Sequence, residues 1–435
     1  MEMFKCIYQK LTLTKIIVIG LFLRLLSWPW VFHGDINALY WWGRYASDFG
    51  LRGFYDWLNF SAHSPPDQPM INIFYDLIIR QLYLVTYKIF WFFNVNIPLF
   101  PSKFMQWYFD IGNQQLLKLP MIIADLFIVY YCYRLTKSKL LSLILALYPP
   151  LIYNSAVWGS GDSLITLLAL LSVYFAFKKR YLLTVIMFVS SVLFKPSLLI
   201  WSPLFLIIII KNKINLKTII LSTVFLITVI YLICWPFSPV EINPLIWFYR
   251  TMSLKILPGY LDIVTANAMN FWALLYGFKP TIDSILIFNF VSLRLISILI
   301  CFVFYLFILY KLSKNYNFFN LLLALTTLTL VTFTFMTRMH ERYTFPALIP
   351  LLLLSFYDRR YLKYFLILSL THFVNIYAVY PIPDISFLTL FLNNDIFIRL
   401  VSLVNILITL RLVFINSDII STDQDQDQPP PPNSY

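Results

Sequence analysis

Long apolar segments alternate with short polar connections along nearly the whole chain. A helix needs about 20 apolar residues to cross roughly 30 Å of membrane hydrocarbon. About twelve segments approach that length, although several are short enough to be half-helices. The pattern therefore predicts an all-α, polytopic transmembrane protein. The predicted spans are residues 12–32, 118–136, 139–153, 162–177, 181–194, 197–210, 217–234, 284–310, 318–337, 343–357, 361–380 and 396–416.

The positions of the basic residues indicate on which side of the membrane each connection lies. If the N-terminus lies inside, every strong Lys/Arg cluster falls in a connection on the inner side, as the positive-inside rule requires. The first apolar run lacks a small-residue cleavage site, so we interpret it as a retained span and not as a signal peptide. The inner clusters are Arg134/Lys137/Lys139, Lys178/Lys179/Arg180, Lys211/Lys213/Lys217, Lys311/Lys314 and Arg359/Arg360/Lys363.

A long outer loop, residues 33–117, follows the first span. Within it, residues 70–93 are apolar but include Asp76 and Arg80, a mixture that is typical of interfacial helices. Counting that segment as a thirteenth span would move the first basic cluster outside, so we expect it to lie along the outer surface; a thirteenth span is the alternative. The loop also carries a glycosylation sequon at Asn59.

Composition agrees with a membrane protein, because 60% of the residues are hydrophobic and only 12% are charged. Residues 1–416 are expected to form one transmembrane domain, and residues 417–435, with alternating Asp and Gln before a proline run, a disordered cytoplasmic tail. The net charge of +13 is spread over short clusters, which argues against nucleic-acid binding. The cysteines lack metal or redox spacing; they are Cys6, Cys132, Cys234 and Cys301.

Unusual polar residues gather on the predicted outer side. Asp35 stands at the mouth of the first span, where it is either a general base or a solvated loop acid. Asp67 follows a proline pair and is expected to cap the next helix, which does not exclude a functional role. Trp158 and Asp162 flank two glycines in a connection that is either a plain hairpin or part of a site. Lys195 lies far from the inner cluster, so it either snorkels or lines a cavity and meets an anion.

One short loop, Arg338 to Tyr343, concentrates charge between two apolar spans. It contains His340, Glu341 and Arg342, and Arg binds phosphate through its forked guanidinium, with His able to assist. A loop of this length holds its side chains at the bilayer surface, where a lipid phosphate lies. The alternative is simple anchoring to lipid headgroups.

Two further ionisable residues, Arg24 and Asp125, fall inside predicted spans. Helical rise places them at similar depth below the outer surface. Because a lone charge inside a membrane is costly, we expect them to form a structural ion pair.

The polar landmarks belong to short motifs that follow one another along roughly residues 30–350. They are Asp35, Pro65-Pro66-Asp67-Gln68-Pro69, Lys118-Leu119-Pro120 with Asp125, Asn154-Ser155-Ala156-Val157-Trp158-Gly159 with Asp162, Phe194-Lys195-Pro196, Asn267-Ala268-Met269-Asn270-Phe271-Trp272 and Met339-His340-Glu341-Arg342-Tyr343. Taken together, these motifs resemble the GT-C superfamily of membrane glycosyltransferases, in particular the prokaryotic relatives of the GPI mannosyltransferases. Two departures concern Ser160, where relatives often have Gln, and the turn at Asp67, which lacks a Tyr-Pro.

The resemblance implies an inverting enzyme that moves one sugar, with mannose expected, from a polyprenyl or dolichyl monophosphate to a lipid-linked or surface glycan acceptor. It implies Asp35 as the base and the His340–Arg342 loop as the holder of the donor phosphate. Asp67, Trp158, Asp162 and Lys195 are expected to complete the substrate site. No resident cofactor is expected, because the donor is already activated; metal dependence stays open.

The implied location is the plasma membrane, with the site facing outside, or the endoplasmic reticulum membrane in a eukaryote. Two other functions remain open at this stage. One is a transporter or lipid flippase, although the chain lacks the internal repeats that such proteins usually show. The other is an oligosaccharide polymerase or ligase that uses a diphosphate-linked lipid.

Overall fold

The computed structural model describes residues 11–29, 31–56, 66–97, 99–259, 261–287 and 289–415. Helices dominate these residues, and the strands among them are four pieces of two residues each. The predicted all-α class is therefore confirmed. Cys6, the sequon at Asn59 and the tail of residues 417–435 lie outside the described residues.

The chain forms a bundle of helices joined by short connections. Strand β1 (Thr265–Ala266) pairs in parallel with β4 (Met339–His340), and β2 (Leu286–Ile287) pairs antiparallel with β3 (Val291–Ser292). The helices are α1 (Leu13–Ser27), α2 (Gly34–Phe49), α3 (Met70–Asn96), α4 (Ser102–Thr136), α5 (Lys139–Ala146), α6 (Pro149–Ile152), α7 (Asp162–Phe177), α8 (Tyr181–Phe194), α9 (Ser202–Lys211), α10 (Leu216–Cys234), α11 (Pro244–Thr251), α12 (Phe271–Tyr276), α13 (Leu293–Lys314), α14 (Phe318–Phe335), α15 (Phe345–Tyr357), α16 (Leu362–Val379), α17 (Ser386–Leu392) and α18 (Asp395–Phe414).

Among the described residues, six helices are long and apolar enough to cross a membrane, namely α4, α10, α13, α14, the 359–379 segment containing α16, and α18. A seventh arises if α5 and residues 149–158, which are bent by 47° at their junction, form one broken span. The protein is thus an all-α membrane protein, but twelve spans are not confirmed. The physical reason is length: α7, with 16 residues, covers only about 24 Å at helical rise.

Several predicted boundaries shift: the first span, predicted at 12–32, is the 15-residue helix Leu13–Ser27, and two later spans shift further. Helix α4 runs without a break for 35 residues from Ser102 to Thr136, with Pro120 inside it, so the span predicted at 118–136 is the second half of a longer helix. The span predicted at 284–310 begins only at Leu293, because the preceding residues form the β2–β3 hairpin. Helix α3 is not among the six long apolar helices, and its interfacial location stays a prediction.

Helix α14 lies at the centre of the bundle, because every residue from Asn320 to Phe335 is buried. The threonines of this helix can be buried there because their hydroxyls are hydrogen-bonded. The hydroxyls of Thr326, Thr327 and Thr329 donate to the carbonyl oxygens four residues earlier at 2.8–2.9 Å. Each hydroxyl is thereby satisfied by its own helix and can be buried without an unpaired polar atom.

The predicted ion pair between Arg24 and Asp125 is confirmed. Arg24 Nε lies 2.8 Å from Asp125 Oδ2, and both side chains are fully buried. Arg24 Nη1 also donates to the Ala146 carbonyl at 3.0 Å, and the Ser155 hydroxyl donates to Asp125. This network joins α1 and α4 to the π-helical turn Tyr153–Trp158, which leads into the candidate site.

The two ends of the bundle differ in charge. Helix α7 begins at Asp162 and ends beside Lys178, and α8 runs back from Arg180 to the residue before Lys195. Asp162 and Lys195 therefore lie at one end, which we call the site end, and the Lys178–Arg180 cluster lies at the other. Helix α15 shows the same arrangement, because it begins just after Arg342 at the site end and ends just before the basic residues Arg359 and Arg360.

Candidate active site

A buried lysine joins two chain segments at the base of the site. Lys118 in α4 has no exposed surface, and its Nζ donates to the carbonyls of Trp28, Val31 and Ala156, each at 2.6 Å. An ammonium group has three donors, so all of them are satisfied. Lys118 thus ties the connection between α1 and α2 to the turn that contains Trp158.

Close packing at this junction requires a glycine. Gly159 has φ of +86°, and a Cβ there would lie 2.6 Å from Ile36 Cδ1 and 2.9 Å from Lys118 Cγ. A larger residue would clash and would also be strained at this φ. Gly159 therefore permits the turn after Trp158 to approach the start of α2.

Asp35 lies in the first turn of α2, where His33 is the N-cap and its Nδ1 accepts from the Asp35 backbone N–H at 3.2 Å. The His33 backbone N–H donates to the Trp158 carbonyl, and Trp158 Nε1 donates to Asp35 Oδ2 at 3.1 Å. The carboxylate is therefore held on a rigid element and remains 46% exposed on its side chain.

Trp158 does not offer a free ring face. The His33 ring stacks on it with centroids 4.1 Å apart, and the Arg342 guanidinium lies 5.1 Å from its centroid. Its side chain is only 1% exposed. The geometry suits a residue that orients Asp35 and Arg342, and direct contact between substrate and the Trp158 ring would require these neighbours to move.

Lys195 points into the protein and does not snorkel. It follows α8 in extended conformation, as the adjacent Pro196 favours, and its Nζ lies 2.6 Å from Asp162 Oδ1. The Ser160 hydroxyl donates to Asp162 Oδ2 at 2.8 Å. The ammonium also lies 5.0 Å from the centroid of the Tyr343 ring. Asp162 does not cap α7, whose N-cap is Gly161.

Arg342 is the centre of the site. Its Nη1 donates to Glu341 Oε1 at 2.6 Å, its Nη2 lies 3.0 Å from Asp35 Oδ2, and its Nε lies 3.5 Å from Asp162 Oδ2. One guanidinium thus connects residues from the start of α2, the start of α7 and the 338–342 loop. The proximity of Arg342 to Asp35 and Asp162 was not apparent from sequence.

The other arginine of the loop has a different role. Arg338 pairs with Asp283 through Nε and Nη2 at 2.6 and 2.9 Å and donates to the Pro258 carbonyl at 2.7 Å. Burial alone would raise the pKa of Asp283, but its bonds with Arg338 outweigh burial and lower that pKa. Asp283 was missed by sequence reasoning, because nothing near it in the chain marks it. Together with the β1–β4 pairing, this clamp fixes the base of the loop.

His340 and Asp67 lie at the edge of the network. His340 Nδ1 is 3.8 Å from Glu341 Oε2, and its ring packs on Tyr343. The Asp67 carboxylate accepts from Gln68 Nε2 at 3.0 Å. The prediction that Asp67 caps α3 is wrong, since the N-cap is Pro69 and no side chain caps that helix.

The carboxyl groups of the site differ in their affinity for protons. Burial tends to raise the pKa of Asp35, but the charge of Arg342 and the contacts with His33 and Trp158 together hold it well below its usual range. Burial also tends to raise the pKa of Glu341, but the charge of Arg342 is the main effect that opposes it, and the pKa of Glu341 is lowered. Burial raises the pKa of Asp67, and the charge of Asp35 adds to the increase.

Several residues that contribute to the site were not predicted from the sequence. His33 is close to Asp35 in the chain, and that proximity could have indicated it. Tyr380 gave no signal, yet it packs edge-on against the rings of His33 and Trp158. Below the loop, the Thr344 hydroxyl and His372 Nδ1 are 2.7 Å apart. In the part of the chain that the structure describes, no group of three His, Cys, Asp or Glu residues is arranged to hold a metal ion.

The landmarks therefore meet in one place: Asp35, Trp158, Asp162, Lys195, Glu341 and Arg342 form one connected network, with Asp67 and His340 beside it. The Asn267–Trp272 motif instead has structural contacts, since Asn270 caps α12 and Trp272 Nε1 donates to the Phe335 carbonyl. Comparison of the chain with protein-family models and with curated proteins finds no match.

Proposed function

We propose that this protein is a membrane glycosyltransferase that moves a monosaccharide, with mannose the first candidate, from a polyprenyl or dolichyl monophosphate to a hydroxyl of a lipid-linked or surface glycan. The observation that supports it most directly is the contact between Asp35 and Arg342 at the site end of the bundle. It puts a half-exposed carboxylate, the type of group that can serve as a general base, beside a cation of the type that binds phosphate.

The proposed reaction is a single displacement at the sugar C1. The acceptor hydroxyl oxygen bonds to C1 as the bond between C1 and the phosphate oxygen breaks. The bonding electron pair leaves with the lipid phosphate, and the hydroxyl proton passes to Asp35 and then to solvent. Loss of a proton to a nearby carboxylate helps a weakly acidic hydroxyl to attack.

Cations of the site would stabilise the leaving phosphate. Arg342 provides a forked donor that remains charged at any physiological pH. His340 lies on the partly exposed side of the loop, and Lys195 supplies a second basic side chain behind Asp162. Glu341 holds Nη1 of Arg342 and so orients the guanidinium.

The basic clusters support an orientation. They lie at the helix ends away from the site, and positive residues favour the cytoplasmic side. We therefore place the active site on the outer face of the plasma membrane, or on the luminal face of the endoplasmic reticulum if the organism is a eukaryote.

The decisive experiment is a transfer assay with purified full-length protein. It uses polyprenyl phosphates carrying labelled mannose or glucose, together with a lipid extract as the acceptor. Labelled product that requires Asp35, and that persists in Asp48→Asn, is expected; Asp48 is an exposed acid on the same helix, paired with Arg44. Transfer only from a diphosphate-linked sugar would favour the ligase class. Lipid movement across proteoliposomes without transfer would favour a flippase.

A further inference from the structure

The guanidinium of Arg342 uses its two edges differently. Nη1 is committed to Glu341 at 2.6 Å. On the other edge, Nη2 faces Asp35 at 3.0 Å, and Nε faces Asp162 at 3.5 Å but has no hydrogen-bond acceptor among the described residues. This Nε–Nη2 edge can bind two oxygens of one oxyanion in parallel. Two separate carboxylates occupy it instead, and neither binds it in that bidentate way.

Negative charge is in excess around this edge. Arg342 and Lys195 are the Arg and Lys side chains of the network, and they face more carboxylates than two positive charges can neutralise. A phosphate that approached the edge would be repelled by Asp35 if that carboxylate stayed there, whereas the charge of Asp162 is balanced by Lys195 at 2.6 Å. The carboxylates are Asp35, Asp162, Glu341 and, nearby, Asp67.

Exposure indicates which partner can leave. Asp35 is 46% exposed on its side chain, whereas Arg342 is 12% exposed and Asp162 is 2% exposed. Arg342 is also pinned by Glu341 and packed on Trp158. Asp35 can therefore turn toward solvent while Arg342 keeps its position.

We propose that the donor phosphate takes over the Nε–Nη2 edge of Arg342 and thereby releases Asp35, so that donor binding itself frees the base for the acceptor. This inference rests on the proposed function, since it assigns the anion to the sugar donor. It orders the reaction: the donor binds first and the acceptor is activated second.

The release changes the chemistry of Asp35. In the free protein its pKa is held low by Arg342, with smaller help from His33 and Trp158 against the effect of burial. A carboxylate in that state is a weak base. Once the phosphate engages the guanidinium and Asp35 turns away, the cation no longer holds that pKa down, so the pKa of Asp35 rises and the carboxylate becomes a stronger base.

The test uses full-length protein in lipid nanodiscs and geranylgeranyl monophosphate, which lacks a sugar, as the probe. Infrared difference spectra across pH report the Asp35 carboxylate, whose band is identified by its loss in Asp35→Asn. Saturating probe is expected to raise the Asp35 titration midpoint by at least about one pH unit, a tenfold change in proton affinity. Arg342→Gln should raise the midpoint without probe, and Arg44→Gln, at an exposed pair on α2, should change neither result.

Each outcome decides between the two proposals. If phosphorus NMR shows that the probe binds but the Asp35 midpoint stays unchanged, the release is wrong and the transferase proposal stands. A shifted midpoint without sugar transfer in the assay above would support displacement of Asp35 by a phosphate but overturn the assignment of that phosphate to a sugar donor, and with it the transferase proposal. Absence of probe binding would overturn the release, and the transferase proposal would then be decided by the transfer assay. If Arg342→Gln does not fold, Arg342→Lys keeps the charge without the two-point edge and should weaken probe binding by at least about tenfold.

Discussion

Replacing Asp35 with Asn tests the proposed base most directly. The amide has nearly the same size, and its Oδ1 can still accept the hydrogen bond that Trp158 Nε1 donates at 3.1 Å. The substitution removes the ability to take a proton at neutral pH and removes the charge that faces Arg342. Local geometry should therefore survive while basicity is lost.

The two effects have separate magnitudes. Loss of general-base help lowers turnover by about 10²–10⁴-fold. The ion pair with Arg342 involves a half-exposed carboxylate, and such pairs contribute about 0.2–1 kcal/mol. Because the proposed release breaks this pair when the donor binds, its removal should lower the donor KM, by up to roughly fivefold. A fall in kcat with an equal or lower KM is thus the expected signature.

Steady-state kinetics with labelled polyprenyl-phosphate mannose would measure both parameters, with Asp48→Asn as the matched control on the same helix. If Asp35 is only a solvated loop acid, kcat and KM should be unchanged in both variants. Near-normal turnover in folded Asp35→Asn would refute the assignment. Loss of activity in Asp67→Asn alone would then move the role to Asp67, whose pKa is raised by burial.

The remaining predictions address the donor site, the scaffold and the orientation. Arg342→Lys should raise the donor KM roughly tenfold to a hundredfold, since a charge-assisted bond contributes about 1.5–3 kcal/mol; an unchanged KM would remove this loop from donor binding. Lys118→Met leaves three buried carbonyls without a donor and should lower the free energy of unfolding by at least about 3 kcal/mol, measured by denaturant titration; full stability would contradict its bridging role. Arg24→Leu and Asp125→Leu should each cost about 3–5 kcal/mol and the double variant less, in a thermal double-mutant cycle; additive losses would argue against a coupled pair. Lys179→Cys should react with an impermeant thiol reagent only after intact cells are permeabilised, and labelling of intact cells would reverse the proposed orientation.

Much of the architecture could be predicted from local patterns. Apolar segments bounded by Lys and Arg located most of the helices, because hydrophobic periodicity and charge at helix ends act over a few residues. The end of α8 before Pro196 follows from proline sterics. The ion pair of Arg24 with Asp125 was also predictable, since equal depth and opposite charge inside apolar helices leave few other partners.

Tertiary structure decided the identity of each partner. Arg338 and Arg342 are the same residue type in one short loop, yet only the fold brings Asp283 to the first and Asp35 to the second. The pattern of apolar residues likewise does not settle the number of spans, because a helix as short as α7 or a bent segment such as 139–158 can cross, re-enter or stop within the protein.

The candidate site also combines features that the sequence predicts with features that only the tertiary structure decides. Residue chemistry alone marked the acids and bases worth considering, because charged groups beside apolar segments are costly and therefore rare. It did not reveal that both faces of Trp158 are covered, or that Asp67 lies next to the network without capping a helix. Those facts depend on packing between segments distant in the chain, and no local propensity encodes such contacts.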